Sequence, residues 1–341
     1  MRWVVCHPGP SFSVHDIHVG WCEALRELGE KVIEFNLDDR LSFYGSALKE
    51  TDEPGKFVRA LKPEQAYELA AAGLYGTLYQ SQPDVLLVVS AFFIPERILD
   101  KARRHGTRVV VIHTECPYED ERQLQLVPYA DVNLINDPTN FEAFESVGLT
   151  RYLPHAYRPS LHHPGRPVPG LDCDVAFVGT GYPSRVEFME HMDLSGLDVL
   201  LAGNWPTVGE DSALYPFLAH DPDQCLDNDK AADVYRSAKL GMNLYRREAQ
   251  RPELSAGWAM GPREVEMAAC GLFFLRDPRP EGDEVLSMLP TFSSPLEASD
   301  LVRYWLAHPD EREALALKAR EAVADRTFTT NAASLLRLLD A

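Results

Sequence analysis

The stretch G-P-R-E-V-E-M-A-A-C-G-L-F-F-L-R-D-P, Gly261 to Pro278, decides how the chain is read. Pro262 suits the first turn of a helix, because its fixed φ fits there and its missing N–H would have no helical partner anyway. Val265, Ala268 and Ala269 then give one apolar face, and Gly271 is placed to end the helix. The apolar run Leu272 to Leu275 follows at once, short enough for a buried strand. The unit is therefore loop, helix N-terminus, small-residue helix, tight turn and strand. A helix N-terminus starting at Gly261 exposes free N–H groups and a positive dipole end, a natural anion site. Arg263 adds a fork-shaped cation on the first turn, and Glu266 sits one turn further in. This combination suits a nucleotide, with its diphosphate on the amides and the arginine and its ribose hydroxyls on the glutamate. The same letters also fit a solvated i, i+3 pair contributing a few tenths of a kcal/mol.

Just upstream, Ala232 to Lys239 reads as a short helix and Leu240 to Tyr245 as a strand. The polar stretch Arg246 to Met260 is then a loop. Arg246, Arg247, Arg251 and Arg263 gather before or on the central helix, which suggests an anionic ligand; about half of such cations are expected to pair with acidic neighbours. Earlier still, the strand Asp174 to Val178 runs into Gly179-Thr180-Gly181-Tyr182-Pro183-Ser184-Arg185 and a helix from about Ser184. The glycines permit close backbone approach to a diphosphate, and Arg185 can pair with it. The last position of a dinucleotide fingerprint is Ser184, however, and the next strand, Val199 to Ala202, ends in Gly203-Asn204 with no acidic residue for a ribose. That argues against an NAD dehydrogenase. Helices follow near Asp283–Met288, Ser299–Ala307, Asp310–Ala324 and Thr330–Leu339.

The first half alternates strands near Arg2–Cys6, Lys31–Phe35, Asp84–Val89, Arg108–Ile112 and Asp131–Ile135 with helices near Val14–Leu28, Pro63–Gln80, Pro95–Arg104 and Thr139–Ser146. Strict alternation means a parallel, doubly wound α/β sheet, in which ligands sit beyond the carboxyl ends of the strands. Three strand-end segments stand out. His7-Pro8-Gly9-Pro10-Ser11 lacks a dinucleotide fingerprint and suits either sugar or acceptor contacts, at His7 and Gly9, or a plain turn. His113-Thr114-Glu115 offers an imidazole and a carboxylate of the right types to orient or deprotonate a hydroxyl, or a merely structural pair. Asn136-Asp137-Pro138 reads as a helix cap. A stretch rich in proline, histidine and glycine from Tyr152 to Pro169 marks an interdomain linker, and it brings His155 toward the place where two domains would face each other.

The chain has 341 residues, more than one core usually supports, so two domains are expected: 1–160 for the acceptor and 170–328 for the nucleotide sugar. A helix at about 329–341, with Leu335, Leu336, Leu338 and Leu339 on one face, is free to pack back on the first. The formal net charge of −19, from 52 acidic and 33 basic residues, disfavours phosphate backbones and anionic membranes as partners. It leaves room for a small anion at a local arginine cluster. No apolar run reaches membrane-spanning length, and the opening strand is too short for a signal-peptide core. Cys6, Cys22, Cys116, Cys173, Cys225 and Cys270 show no C-x-x-C pair, which reads as a reduced cytoplasmic protein without disulfides or zinc.

Taken in order, several of these segments resemble the CgeB-like group of GT-B glycosyltransferases, related to the retaining group 1 families. Arg263, Glu266, Ala269-Cys270-Gly271 and Leu272 to Leu275 are similar to the group's nucleotide-sugar motif. Glu115, Pro117 and Tyr118 match its Glu then Pro-Tyr; Asn136-Asp137 its N-D; Leu153, Pro154 and Ala156 its L-P-x-A. Phe177, Gly179 and Arg185 fit F-x-G-x-x-x-x-R, and Tyr235, Lys239 and Asn243 fit Y-x-x-x-K-x-x-x-N. The resemblance covers roughly residues 80–330. It departs at Trp258, where the wider families place a first Glu of an E-x7-E pair. It implies two Rossmann-like domains facing a cleft, with a nucleotide-diphosphate sugar, UDP-linked by preference, as donor substrate and no tightly bound cofactor. The donor is then held by Gly179, Gly181, Arg185, Asn243, Arg246, Gly261, Arg263 and Glu266. A small-molecule or saccharide acceptor lies toward His7, Gly9, Tyr118 and His155, and His113 or Glu115 handles its hydroxyl. Transfer with retention and without metal is implied, no D-x-D sitting where a metal would be needed. A nucleotide-sugar epimerase on the same fold, a binding homologue that has lost catalysis, and a transferase acting on nucleic acid bases remain alternatives, the last disfavoured by the charge.

Overall fold

The computed structural model describes residues 1–7, 9, 14–47, 49–53, 56–59 and 61–340; for residues 47, 49–53 and 56–59 it describes the backbone alone. The expected turn at Pro8, Pro10 and Ser11 lies outside the described residues. The chain folds as two units, Met1–Leu153 with the chain from Ala332 on, and Pro154–Asn331. Each has its own parallel sheet.

The first unit runs β1 (Arg2–Cys6), α1 (His15–Glu27), β2 (Lys31–Phe35), α2 (Leu37–Ala47), β3 (Lys49–Glu53), β4 (Lys56–Arg59), α3 (Pro63–Ser81), β5 (Val85–Val89), α4 (Glu96–Arg104), β6 (Arg108–His113), α5 (Asp120–Leu124), β7 (Val132–Ile135), α6 (Phe141–Glu145) and β8 (Thr150–Tyr152). Six strands form one sheet in the order β2-β1-β5-β6-β7-β8, while β3 and β4 pair as a separate antiparallel hairpin. Val85 to Val89 are all buried, as a strand covered on both faces by helices must be. The register sets Cys6 beside Phe35 on one side and Val88 on the other. After β1 the chain turns to one flank of the sheet and after β5 to the other, so the β1–β5 boundary is the switch point where such sheets bind ligands. The Gly9 and Ser90 loops lie there.

The second unit runs β9 (Cys173–Val178), α7 (Pro183–Glu190), β10 (Val199–Ala202), α8 (Asn228–Ser237), β11 (Ala238–Asn243), α9 (Pro262–Cys270), β12 (Phe274–Arg276), α10 (Pro280–Val285), α11 (Pro295–Leu306), α12 (Pro309–Ala322) and α13 (Phe328–Asp340), whose later turns belong to the first unit. Its four parallel strands are ordered β10-β9-β11-β12, again with a switch point, between β9 and β11. Trp205, Phe273 and Phe274 are fully buried in its core. β12 starts at Phe274 rather than Leu272, because the Leu272 N–H is bonded to Met267 O and so still closes the end of α9. Of the stretch read as a linker, Tyr152 and Leu153 finish the first sheet, and contacts further along lie in this unit: Tyr157 bridges to Thr327, and Arg236 Nη1 donates to Leu161 O. Among the described residues no helix is long and apolar enough to cross a membrane.

Candidate functional site

The helix α9 is built as its letters suggest. Gly261 is the N-cap, Pro262 opens the first turn, and Gly271 closes the helix at φ 80° with its N–H on Ala268 O. Residues Glu264 to Cys270 are all buried, and the helix packs on α8, α12 and β11. Two carboxylates therefore lie inside, one turn from its start, and they do different things.

Glu266 is 4 % exposed, and its Oε2 accepts from Arg263 Nη1 at 2.7 Å. A solvated surface pair would not sit this deep. Tyr235 lies beside the pair, its phenol held protonated chiefly by burial, an effect that the Arg263 charge opposes. Glu264, by contrast, is fully buried and turns back on the helix start. Its Oε2 accepts the Gly261 N–H at 2.8 Å and also meets the Tyr245 hydroxyl, which itself accepts from Gly261 N at 3.1 Å. Burial pushes this carboxyl up to about 7, against the lowering pull of the Tyr245 and Gly261 hydrogen bonds and of the Arg276 and Arg279 charges. This corrects the expectation that a diphosphate rests on the Gly261 amide: a carboxylate of the chain already caps it, and Pro262 has no N–H to offer.

A second correction concerns the loop after β9. The Gly179 N–H is bonded to Ala202 O at 2.9 Å and the Gly181 N–H to Asn204 O at 2.7 Å, so neither amide faces a phosphate. Gly181 is needed for space, because a Cβ there would lie 2.4 Å from the Trp205 ring. Arg185 donates Nε to Leu244 O at 2.8 Å and Nη1 to Thr180 O at 3.0 Å, with its guanidinium over Phe177 and Tyr182. It clamps the loops after β9 and β11 together, which is a positioning role in place of the expected phosphate contact. The start of α7 is also occupied: Glu248 accepts from the Ser184 amide and hydroxyl and from the Arg247 amide. Burial would raise that carboxyl, but these bonds outweigh it and hold it below its ordinary value.

What remains for a ligand in this unit is a set of side chains. Asn243 ends β11 at the switch point, 5 % exposed, and its Nδ2 has no hydrogen-bond partner among the described residues. Half-buried Arg246 follows, with Nη1 on the Tyr182 hydroxyl at 3.0 Å and the guanidinium over that ring. Arg247 grips Asp277, just beyond β12, through two bonds of 2.7 and 2.8 Å. Together with Arg263 and Glu266 these groups offer cations for an anion and a carboxylate for vicinal hydroxyls. Trp258 is half-buried, and its carbonyl accepts from Glu281 N. Glu281, which the sequence did not single out, also takes the Met260 N–H and pairs with Arg326, so it sets the loop before α9.

In the first unit the histidines move inward. His113 ends β6 at 1 % exposure, with Nε2 bonded to Asn133 Oδ1 at 2.8 Å and its ring edge-on to Phe144. Burial lowers its pKa to about 4, opposed by the Asn133 bond, so the ring is neutral and packed, which corrects its reading as an acid or base. His7 is corrected likewise. Its Nδ1 accepts from Gly9 N at 3.3 Å, which leaves Nε2 as the donor to His15 Nδ1 at 2.9 Å. Both ring nitrogens are occupied, and burial, followed by His18 and His15, lowers its pKa to about 3. Gly9 has φ 92°, and a Cβ there would press on Phe93 at 3.2 Å. Glu115 and Tyr118 are half-buried, as is His155 in the second unit, and the Glu115 N–H donates to Gln123 Oε1 at 3.1 Å. Two groups near these strand ends escaped the sequence. Ser90, directly after β5, has φ 55° and ψ 100°, a strained conformation of the kind that gathers at binding sites. Asp120 is 1 % exposed, and burial raises its carboxyl to about 6 against its hydrogen bonds to Cys116, Asn140 and Gln123.

Residues 185–337 match the family model described as glycosyl transferase-like. No curated protein matches the chain by sequence. Among solved structures, the chain is similar over 100 % of its length to sucrose-phosphate synthase from Thermosynechococcus elongatus, 98 % of which is covered, at 14 % identity and TM-score 0.66. It is similar to the trehalose-6-phosphate protein from E. coli bound with UDP-2-fluoro glucose at 12 % identity and TM-score 0.61, with 99 % of each chain covered. A candidate UDP-N-acetylglucosamine 2-epimerase from Listeria monocytogenes gives 12 % identity and TM-score 0.61 over 99 % of this chain and 95 % of that one. The likeness places the two sheets in the GT-B fold.

Proposed function

We propose that this chain, whose residues 185–337 form a glycosyl transferase-like domain on a GT-B fold, moves a sugar from a nucleoside-diphosphate sugar to an acceptor hydroxyl. The observation that carries the reading is the Arg263–Glu266 pair, 2.7 Å apart, on a helix whose start lies beside the carboxyl end of the sheet. Glu266 takes the ribose hydroxyls, which are neutral donors suited to a buried carboxylate. Arg263 and Arg246 hold the diphosphate by side chain, and Asn243 Nδ2 supplies a further donor. In the reaction the bond from the anomeric carbon to the β-phosphate oxygen breaks, the acceptor oxygen bonds to that carbon, and the hydroxyl proton leaves with the diphosphate. The arginines stabilise the charge developing on that leaving group without a metal. UDP is the favoured carrier, as in the E. coli structure with UDP-2-fluoro glucose. The acceptor is a small molecule or saccharide, the first unit receives it at Ser90, Gly9, Glu115 and Tyr118, and transfer proceeds with retention. The six free cysteines suit a cytoplasmic location.

Thermal-shift screening with UDP-, GDP- and TDP-sugars, followed by a transfer assay with saccharide acceptors, tests the reading. It predicts stabilisation by one nucleotide sugar and release of free nucleotide that rises when acceptor is added. The likeness to the Listeria monocytogenes protein keeps an epimerase as the second reading. That enzyme would convert the sugar nucleotide with no acceptor present and release no nucleotide diphosphate.

A further inference from the structure

The first unit holds a cluster that the donor chemistry does not use. His18 and Cys22 stand four residues apart on α1, so they share one face of that helix. Glu34, on the neighbouring strand β2, completes a trio in which one ligand atom from each residue lies within 4.8 Å of the others. We propose that His18, Cys22 and Glu34 bind one divalent cation of the zinc class, tying α1 to β2.

The geometry and the donor types agree. His18 Nε2 and Cys22 Sγ are 3.7 Å apart. Zinc–nitrogen and zinc–sulfur bonds of about 2.05 and 2.3 Å at a tetrahedral angle set those atoms about 3.6 Å apart. Imidazole, thiolate and carboxylate are the three donor classes zinc takes, and a water completes four-coordination. His18 is 3 % exposed, and its Nδ1 faces the Val5 backbone without a hydrogen bond of ordinary geometry. A ligating histidine turns that second nitrogen toward a carbonyl. Behind it the His7 ring lies edge-on, 5.1 Å between centroids, bonded in turn to His15. Glu34 carries an ion pair with Arg26 at 2.6 Å, and a carboxylate has a second oxygen for a metal. Burial pushes the Cys22 thiol up to about 12, with Glu34 adding to the effect and Arg26 opposing it, so the thiol is protonated until a cation arrives. Binding then forms the metal–sulfur bond and releases that proton to solvent. No paired-cysteine spacing announces such a site, because its third ligand comes from a different element.

The test uses the full chain carrying Cys225→Ser, which removes the exposed thiol, stripped with a chelator and titrated with Co2+. The proposal predicts one equivalent bound, with a cobalt–thiolate absorption band in the near ultraviolet that Zn2+ abolishes. Adding Cys22→Ser removes the band, and adding His18→Ala weakens cobalt binding about tenfold or more. Glu34 is exposed, so Glu34→Gln folds whatever happens to the buried variants, and it is expected to weaken cobalt binding about tenfold. Absence of the band, a band that survives Cys22→Ser, or an affinity unchanged in Glu34→Gln overturns the site.

Discussion

Replacing Glu264 by glutamine isolates the buried carboxyl at the head of α9. In the folded chain this group titrates near 7, against an ordinary value of 4.5. Below pH 4.5 it is protonated whether the chain is folded or not. Between 4.5 and 7 the unfolded chain loses the proton while the folded chain keeps it, so the folded state is progressively disfavoured. Its stabilising contribution is therefore complete at low pH and lost as pH rises through about 7. At 1.36 kcal/mol per pH unit, the gap between those two values is worth roughly 3 kcal/mol. Glutamine cannot ionise, and its amide oxygen still accepts the Gly261 N–H. The variant should thus gain on the wild type by roughly 3 kcal/mol between pH 4.5 and 8. For a unit of this size that is about 6–12 °C in melting temperature. Calorimetric melts at pH 5, 6, 7 and 8 read it directly. Melting temperatures that differ by the same amount at every pH would refute the argument, since they would mean Glu264 is already ionised when folded at pH 5.

Gly181→Ala should destabilise by about 1–3 kcal/mol, because its Cβ would fall 2.4 Å from the Trp205 ring; an unshifted melt would contradict that packing. His113→Ala should lower stability by about 2 kcal/mol, through the cavity and the orphaned Asn133 acceptor, with turnover per folded molecule unchanged. A fall in turnover at constant melting temperature would restore the catalytic reading. Arg185→Ala should lower the melting temperature more than it raises the dissociation constant for UDP, with Arg246→Ala doing the reverse; equal effects would remove the distinction between clamp and ligand.

The alternation of strand and helix was legible because apolar runs such as Val85–Val89 and Val199–Ala202 are buried by the very pattern that identifies them. β8 escaped, since Thr150–Tyr152 is short with an exposed Arg151 in its middle. α2 escaped as well, its Leu37–Ala47 segment mixing aspartate, serine and glycine without a clean stripe. Within the site, the burial of Glu266 and its pairing with half-buried Arg263 follow from their spacing on an apolar helix. The glycine and Arg185 readings went astray chiefly for a reason of range: apart from Thr180 O, five residues from Arg185, the carbonyls that take those donors, Ala202, Asn204 and Leu244, come from segments 23 to 59 residues away. Local sequence shows a donor and hides its acceptor. Glu264 was within reach, because Gly261 and a glutamate three residues on form a capping-box spacing.

The central claim is that α9 grips a sugar nucleotide through Arg263 and Glu266, and calorimetric titration of UDP, UDP-glucose and uridine tests it most directly. Loss of a charge-assisted hydrogen bond of about 1.5–3 kcal/mol predicts that Glu266→Gln weakens all three ligands by roughly 10- to 150-fold. Arg263→Ala should weaken UDP and UDP-glucose in the same range while leaving uridine nearly unchanged. Wild-type affinity for UDP-glucose in both variants, with the fold intact, would contradict the claim.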